Sequence, residues 1–106
     1  MYWFIRNDND QQITVCFARR DLQNMNPFLA MARISDLRRI LEILQNDQGG
    51  NYHTSPGEYL SLSAENGIVT ARIEIADALP CRMGVAFFCQ LVTDYLAQWD
   101  AMQNDV

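Results

Sequence analysis

The chain has 106 residues, a net charge of −5 at pH 7 and a sequence pI of about 4.5. This length suits one domain over residues 1–106 with one hydrophobic core. The acidic balance disfavours nucleic-acid binding, because phosphate contacts need basic side chains. No apolar run approaches the roughly 18 residues of a membrane span, and no signal peptide is recognisable. We therefore expect a soluble, cytoplasmic protein without nucleic-acid or membrane partners.

The chain begins with a predicted β-hairpin. Residues 2–6 (YWFIR) and 13–18 (ITVCFA) are aromatic and β-branched runs around the turn-forming stretch NDNDQ. A strand places alternate residues on one face. The face that we expect to be buried carries Trp3, Ile5, Ile13, Val15 and Phe17. Tyr2 and Phe4 are then expected on the opposite face.

Residues 28–34 (FLAMARI) fit either a strand or the first turn of a helix. Pro27 before them favours an extended segment, as does the alternation of Leu29, Met31 and Arg33.

An amphipathic helix is predicted next. Ser35 is a suitable N-cap residue, and Asp36 suits the positive end of the helix dipole. Apolar side chains then recur at helical spacing, at Leu37, Ile40, Leu41 and Leu44. Ile43 lies off this stripe, beside Ile40. Residues 47–57 (DQGGNYHTSPG) are predicted to end the helix and form a loop.

A second hairpin is predicted over residues 58–75, because Asn66-Gly67 is a strong signal for a two-residue turn. This turn fixes the register. The apolar pairs are Leu60 with Ile73, Leu62 with Ala71, and Ala64 with Val69. The polar pairs are Tyr59 with Glu74, Ser61 with Arg72, and Ser63 with Thr70. Such a hairpin belongs to an antiparallel sheet with one buried and one solvated face.

A last helix is predicted from near Pro80 to about Met102. Its broad apolar stripe consists of Phe88, Leu91, Val92, Tyr95, Leu96 and Trp99. Phe87 lies outside this stripe, on the polar flank beside Asp94 and Gln98. The predicted order is β-β-(β)-α-β-β-α, an α+β fold with helices packed on one face of an antiparallel sheet.

The sequence offers little for catalysis. His53 is the single histidine and lies in a predicted loop. Cys16, Cys81 and Cys89 have no zinc-site spacing, and we interpret them as reduced structural thiols. We therefore expect no catalytic residues, no cofactor and no metal. A small enzyme with an unrecognised site is the weakest of three hypotheses.

The apolar residues exceed what a single-sided sheet and two helices need. We interpret the surplus as a protein-binding surface, with Phe87, Tyr2, Phe4 and Met31 as candidates for partner contacts. The alternative is that Tyr2, Phe4 and Met31 complete the core from a different strand phase.

The stretch from RISDLRRILEILQN to DYLAQWDAM resembles class I type III secretion chaperones and the related YbjN-like proteins. The shared features are a Leu-rich helix ending near Asn (ILEILQN), a hairpin with a Gly turn (YLSLSAENGIVTARIEI) and a closing helix with a late Trp (VAFFCQLVTDYLAQW). The family usually begins with a helix, whereas this chain begins with a predicted strand. The resemblance implies a homodimer, with Ile40 and Ile43 at the dimer contact, that holds an extended segment of a secreted effector.

The alternative function is an immunity protein that neutralises a basic toxin, such as a nuclease, by blocking its active site. Its contact surface would be acidic. The candidates are Asp8, Asp10, Glu58, Glu65 and Glu74. In both hypotheses the partner is a protein and the function is noncatalytic.

Overall fold

The computed structural model describes residues 1–7, 9–46, 51–75 and 79–104. In chain order these form β1 (Tyr2–Asn7), β2 (Gln12–Phe17), a single 3-10 turn (Arg20–Leu22), α1 (Met25–Met31), α2 (Ile34–Asn46), β3 (Tyr52–Thr54), β4 (Leu60–Glu65), β5 (Ile68–Ile73), β6 (Cys81–Gly84) and α3 (Val85–Asn104). The strands make a two-stranded sheet, β1-β2, and a four-stranded antiparallel sheet, β3-β4-β5-β6. The predicted α+β class is confirmed.

One hydrophobic core joins the two sheets to the helices. The helix α3 contacts β1 and β2 of the small sheet, β5 and β6 of the large sheet, and α2. Its side chains Phe88, Leu91 and Val92 are fully buried. The apolar stripe predicted for this helix therefore faces both sheets.

The second hairpin has the predicted register. Leu60 pairs with Ile73, and the ladder continues to the Asn66-Gly67 turn. Both turn residues have positive φ, 53° at Asn66 and 81° at Gly67, as a type I′ turn requires. The Gly67 carbonyl also accepts the backbone N–H of Val85 at 2.9 Å, which ties the turn to the first residue of α3.

The first hairpin is present and Ile13, Val15 and Phe17 share the core-facing side of β2 as predicted, but the prediction of the faces of β1 is wrong. Phe4 lies opposite Val15. Phe4 and Tyr2 therefore face the core, while Trp3 and Ile5 are exposed.

The length of the turn explains this difference. The ladder ends at the pair Asn7 and Gln12, so residues 8–11 lie between the strands. A turn with an even number of residues places odd positions of β1 opposite even positions of β2. The stretch NDNDQ has no two-residue turn signal that could have set this register from the sequence.

The extended segment predicted over residues 28–34 is also wrong, because this stretch contributes to α1. Met25, Phe28 and Leu29 are buried at helical spacing. Pro27 lies in the first turn, where its missing N–H costs no hydrogen bond within the helix.

The last helix begins later than predicted. Residues 81–84 form β6, which pairs with β5, and α3 starts at Val85. Cys81 and Met83 are buried while Arg82 is exposed, which is the alternation of a strand with one buried face.

Two smaller corrections concern α2 and the stretch after it. The helix begins at Ile34, so Ser35 lies in its first turn and is not the N-cap. His53, predicted in a loop, lies in β3 and pairs with β4. The predicted apolar stripe is confirmed, since Leu37, Ile40 and Leu44 are buried and Leu41 packs against the core.

We predict that Gly67→Val lowers the free energy of unfolding by about 1 kcal/mol or more, because a β-branched residue is disfavoured at positive φ. A Cβ at this position has no neighbouring atom within 4 Å, so the cost is conformational and not steric. Urea denaturation would measure it. Gly84→Val is the matched control, since Gly84 also has open space around it but lies in a strand without positive φ. Equal midpoints for the two variants would contradict the prediction.

Candidate functional site

The exposed face of the first hairpin carries a row of large apolar side chains. Trp3 and Ile5 are each 55% exposed, and Met1 before them is 88% exposed. These residues follow each other at the two-residue spacing of β1, so they form one strip on the surface. We call Met1, Trp3 and Ile5 the apolar strip.

On the opposite face of β1, Tyr2 contacts α3. The phenol donates a hydrogen bond to Asp94 Oδ2 at 2.6 Å. Its ring meets Phe87 edge to face, with 5.6 Å between centroids, and lies 5.7 Å from the ring of Phe4. Burial, and then the hydrogen bond to the Asp94 carboxylate, raise the pKa of Tyr2, so the phenol stays protonated and keeps donating.

The outer edge of β2 is closed by side chains from the following segment. The Asn26 amide accepts the Val15 N–H and donates to the Val15 carbonyl, both at 2.7 Å. Gln23 donates to the Phe17 carbonyl at 3.3 Å. The Asn26 amide thus occupies the place that a neighbouring strand would take, and we call it the amide cap.

At Tyr2 and Phe4, the outer edge of β1 has no such cover from the described residues. Because the Val15 backbone groups point outward to Asn26, the facing residue Phe4 also directs its N–H and C=O away from β2. The Ala18 N–H donates to the Met1 carbonyl, so backbone groups that point toward β2 alternate with groups that point away from it. The N–H and C=O of Tyr2 therefore point outward, as those of Phe4 do. Within the part of the chain that the structure describes, no hydrogen bond reaches the backbone of Tyr2 or Phe4 from this side.

An uncovered strand edge beside exposed apolar side chains can accept a further strand. The outward backbone groups would pair with an extended peptide, and the neighbouring side chains would contact alternate residues of that peptide. We call the outer edge of β1 together with the apolar strip the β1 edge. It is our candidate functional site.

The structure brings together three of the four candidates for partner contacts. Tyr2, Phe4 and Phe87 form one aromatic cluster, in which each is partly buried. Phe87 packs edge to face against Tyr2 of β1. Met31 is 40% exposed at the end of α1, where its backbone lies beside Gly57, outside this cluster.

The surface residues that sequence reasoning missed are Trp3 and Ile5. The strand phase predicted for β1 places them in the core, whereas the structure places them on the surface. The even number of turn residues between Asn7 and Gln12 places them outside, and the sequence contains no signal for that number.

The two dimer candidates on α2 differ in how far their side chains are buried. Ile40 is 1% exposed and belongs to the core, so it offers no surface for a second protomer. Ile43 is half-buried. A homodimer contact through α2 stays a prediction that depends on Ile43.

The acidic candidates do not gather on one surface. Asp10 lies in the turn of the first hairpin, where it accepts a hydrogen bond from Asn7. Glu65 lies at the turn between β4 and β5, whereas Glu58 and Glu74 lie at the far end of that hairpin. Asp8 lies outside the described residues.

Few groups in the structure suggest reaction chemistry. His53 faces Ser63 across β3 and β4, but no hydrogen bond joins their side chains. The three cysteines are free thiols, and burial raises the pKa of Cys81 and of Cys89. The described ranges contain no group of three potential metal ligands. None of the helices in these ranges has the length and apolar character that a membrane crossing requires.

Comparisons with protein-family models, with curated proteins and with solved structures give no match for this chain.

We predict that Phe87→Ala lowers the free energy of unfolding by about 1–3 kcal/mol. This is less than the roughly 3–5 kcal/mol of a fully buried phenylalanine, because the ring is only partly covered, by Tyr2. Thermal unfolding would measure it. Trp3→Ala removes an aromatic side chain that is mostly in solvent and serves as the control. A drop in melting temperature no larger than that of Trp3→Ala would contradict the packing role of Phe87.

We predict a homodimer through α2, because burying Ile43 in an interface would contribute up to about 1.5–3 kcal/mol per protomer. Light scattering at high micromolar concentration should give the dimer mass for the wild type and the monomer mass for Ile43→Asp. Ile75→Asp, at an exposed position beyond β5, is the control and should stay dimeric. A monomeric wild type would contradict the dimer, and a dimer that survives Ile43→Asp would contradict its placement on α2.

Proposed function

We propose that this protein is a noncatalytic protein-binding module that takes up an extended segment of a partner polypeptide as a further strand along β1. The observation that carries this proposal is the difference between the two outer edges of the first hairpin. The amide cap closes the edge of β2 at Val15, whereas the edge at Tyr2 and Phe4 is uncovered within the described residues.

The energetics favour an added strand at this position. A two-stranded ribbon is marginal by itself, and a third strand is the usual route to a stable sheet. Each new backbone hydrogen bond contributes about 0.5–1.5 kcal/mol net. Side chains of the added segment would also cover part of Trp3 and Ile5, which now lie largely in water.

The segment that binds the β1 edge should differ in sequence from β1 itself. A second copy of β1 would place another Trp3 and another Ile5 beside the first pair, and the joined apolar patch would still face solvent. A different segment can place apolar residues on the face of β1 that carries Tyr2 and polar residues on the face that carries Trp3. We therefore propose an extended segment with alternating apolar and polar residues as the occupant.

The finer assignment, a secretion chaperone that binds a secreted effector, rests on the pattern resemblance in the sequence. The uncovered edge supports it because such a chaperone holds its client in an extended form. The immunity alternative gains no support from geometry, since Glu65 lies at one end of the β4-β5 hairpin, Glu58 and Glu74 lie at the other end, and Asp10 lies in the turn of the first hairpin. Salt distinguishes the two, because binding by backbone and apolar contacts depends weakly on ionic strength, whereas charge-steered association slows strongly.

A peptide with the sequence of residues 12–18, with Ser in place of Cys16, is a direct probe for the β1 edge. This sequence already pairs with the inner edge of β1, so it has the right alternation for the outer edge. We predict saturable binding by fluorescence anisotropy, with the amide protons of Tyr2 and Phe4 becoming protected from hydrogen exchange. Ile5→Lys should weaken binding about tenfold or more, because a charged side chain at an edge opposes strand addition.

Ile68→Lys is the matched control, since Ile68 is another strand isoleucine that is 47% exposed, but in the other sheet. It should bind the peptide like the wild type, at low and at high salt. Equal weakening by the two substitutions, protection that maps away from β1, or no saturable binding up to about 1 mM peptide would each contradict the proposal.

A further inference from the structure

The solvated face of the four-stranded sheet carries an ordered set of polar side chains. One row crosses all four strands, because His53 pairs with Ser63, Ser63 with Thr70, and Thr70 with Arg82. In the adjacent row Ser61 pairs with Arg72. These residues alternate with buried ones along each strand, so they share one face.

This face is hollow in the middle. The hydroxyl side chains of Ser61, Ser63 and Thr70 are short, and the longer side chains of Arg72 and His53 stand around them. Together they line a depression of about 600 Å³. Arg82 lines a neighbouring depression, which shares Ser63 and Thr70 with the first.

The two arginines lie next to the same residue of this face, Thr70. Arg82 faces Thr70, and Arg72 follows Thr70 by two residues, so the arginines form a diagonal pair within reach of one small ligand. Neither makes an ion pair within the described ranges, in contrast to Arg19 and Arg38, which pair with carboxylates. In a chain of net charge −5, two guanidinium groups on one sheet face that have no ion pair among the described residues form a local positive site.

Acidic side chains bound this site at both ends. Glu74 accepts a hydrogen bond from Ser61 at 2.7 Å, and Glu65 lies beside Ser63 at the turn. Arg82 and Arg72 therefore lie in the two central rows, and one glutamate lies beyond each of these rows. Such a distribution suits a compact anion and repels a polyanion that would extend past the glutamates.

We propose that this sheet face binds a single phosphate group, either as free phosphate or on a small phosphate monoester. Arg72 and Arg82 would donate charge-assisted hydrogen bonds to its oxygens, since the guanidinium fork matches phosphate geometry. The hydroxyl groups of Ser63 and Thr70 would donate from the floor of the depression. The site lies on a different sheet from the β1 edge and does not depend on the function proposed for that edge.

The proposal is tested by adding inorganic phosphate, and separately glycerol 3-phosphate, to the protein at constant ionic strength set with sodium chloride. We expect a saturable rise in melting temperature and saturable chemical-shift changes at Thr70 and His53. Arg72→Gln and Arg82→Gln should each weaken the affinity about tenfold or more, because each removes a charged donor. Both arginines are exposed, so the variants should keep the wild-type melting temperature without ligand.

Arg39→Gln is the control, since Arg39 is an exposed arginine on α2, and it should bind like the wild type. Binding of both probes supports a phosphate site, and binding of the monoester alone supports a small phosphorylated ligand. The proposal is overturned if chloride produces the same shifts, if neither probe saturates, or if the Arg72 and Arg82 variants bind like the Arg39 variant.

Discussion

The contact of α3 with both sheets is the interaction on which the rest of the structure depends. Phe88, Leu91 and Val92 are fully buried between elements that otherwise belong to separate ladders. A two-stranded hairpin has too little surface to hold its own shape. The position of β1 is therefore set by the helix, through the hydrogen bond of Tyr2 to Asp94 and the ring contact of Tyr2 with Phe87. A binding function at β1 would depend on that support.

The two hairpins show how much of the fold could be read from the sequence. Asn66-Gly67 specifies a turn of known length and backbone conformation, and the register of β4 and β5 follows from it residue by residue. The stretch between β1 and β2 specifies a turn but not its length, and a shift of one residue moves every side chain to the other face. The aromatic and β-branched runs therefore predict the strand pair correctly, but the two faces of β1 are exchanged.

Short elements were the other source of error. Seven residues in α1 and four in β6 contain too few repeats to separate a period of 3.6 from a period of two. The surplus of aromatic residues near the N-terminus was visible in the sequence, but their division between core and surface was not. The amide cap could not be predicted from the sequence, because it is the tertiary fold that brings Asn26 beside Val15.

The amide cap also limits how far this small sheet can grow. An uncovered strand edge normally presents an aggregation hazard, because each added strand exposes a fresh edge for the next. Here the outer edge of β2 is capped at Val15 by a side chain that satisfies both backbone groups of that residue. If two copies met through β1, the shared sheet would hold four strands and finish at Asn26 on both sides. The amide cap thus favours a finite assembly along this ribbon over growth into a filament.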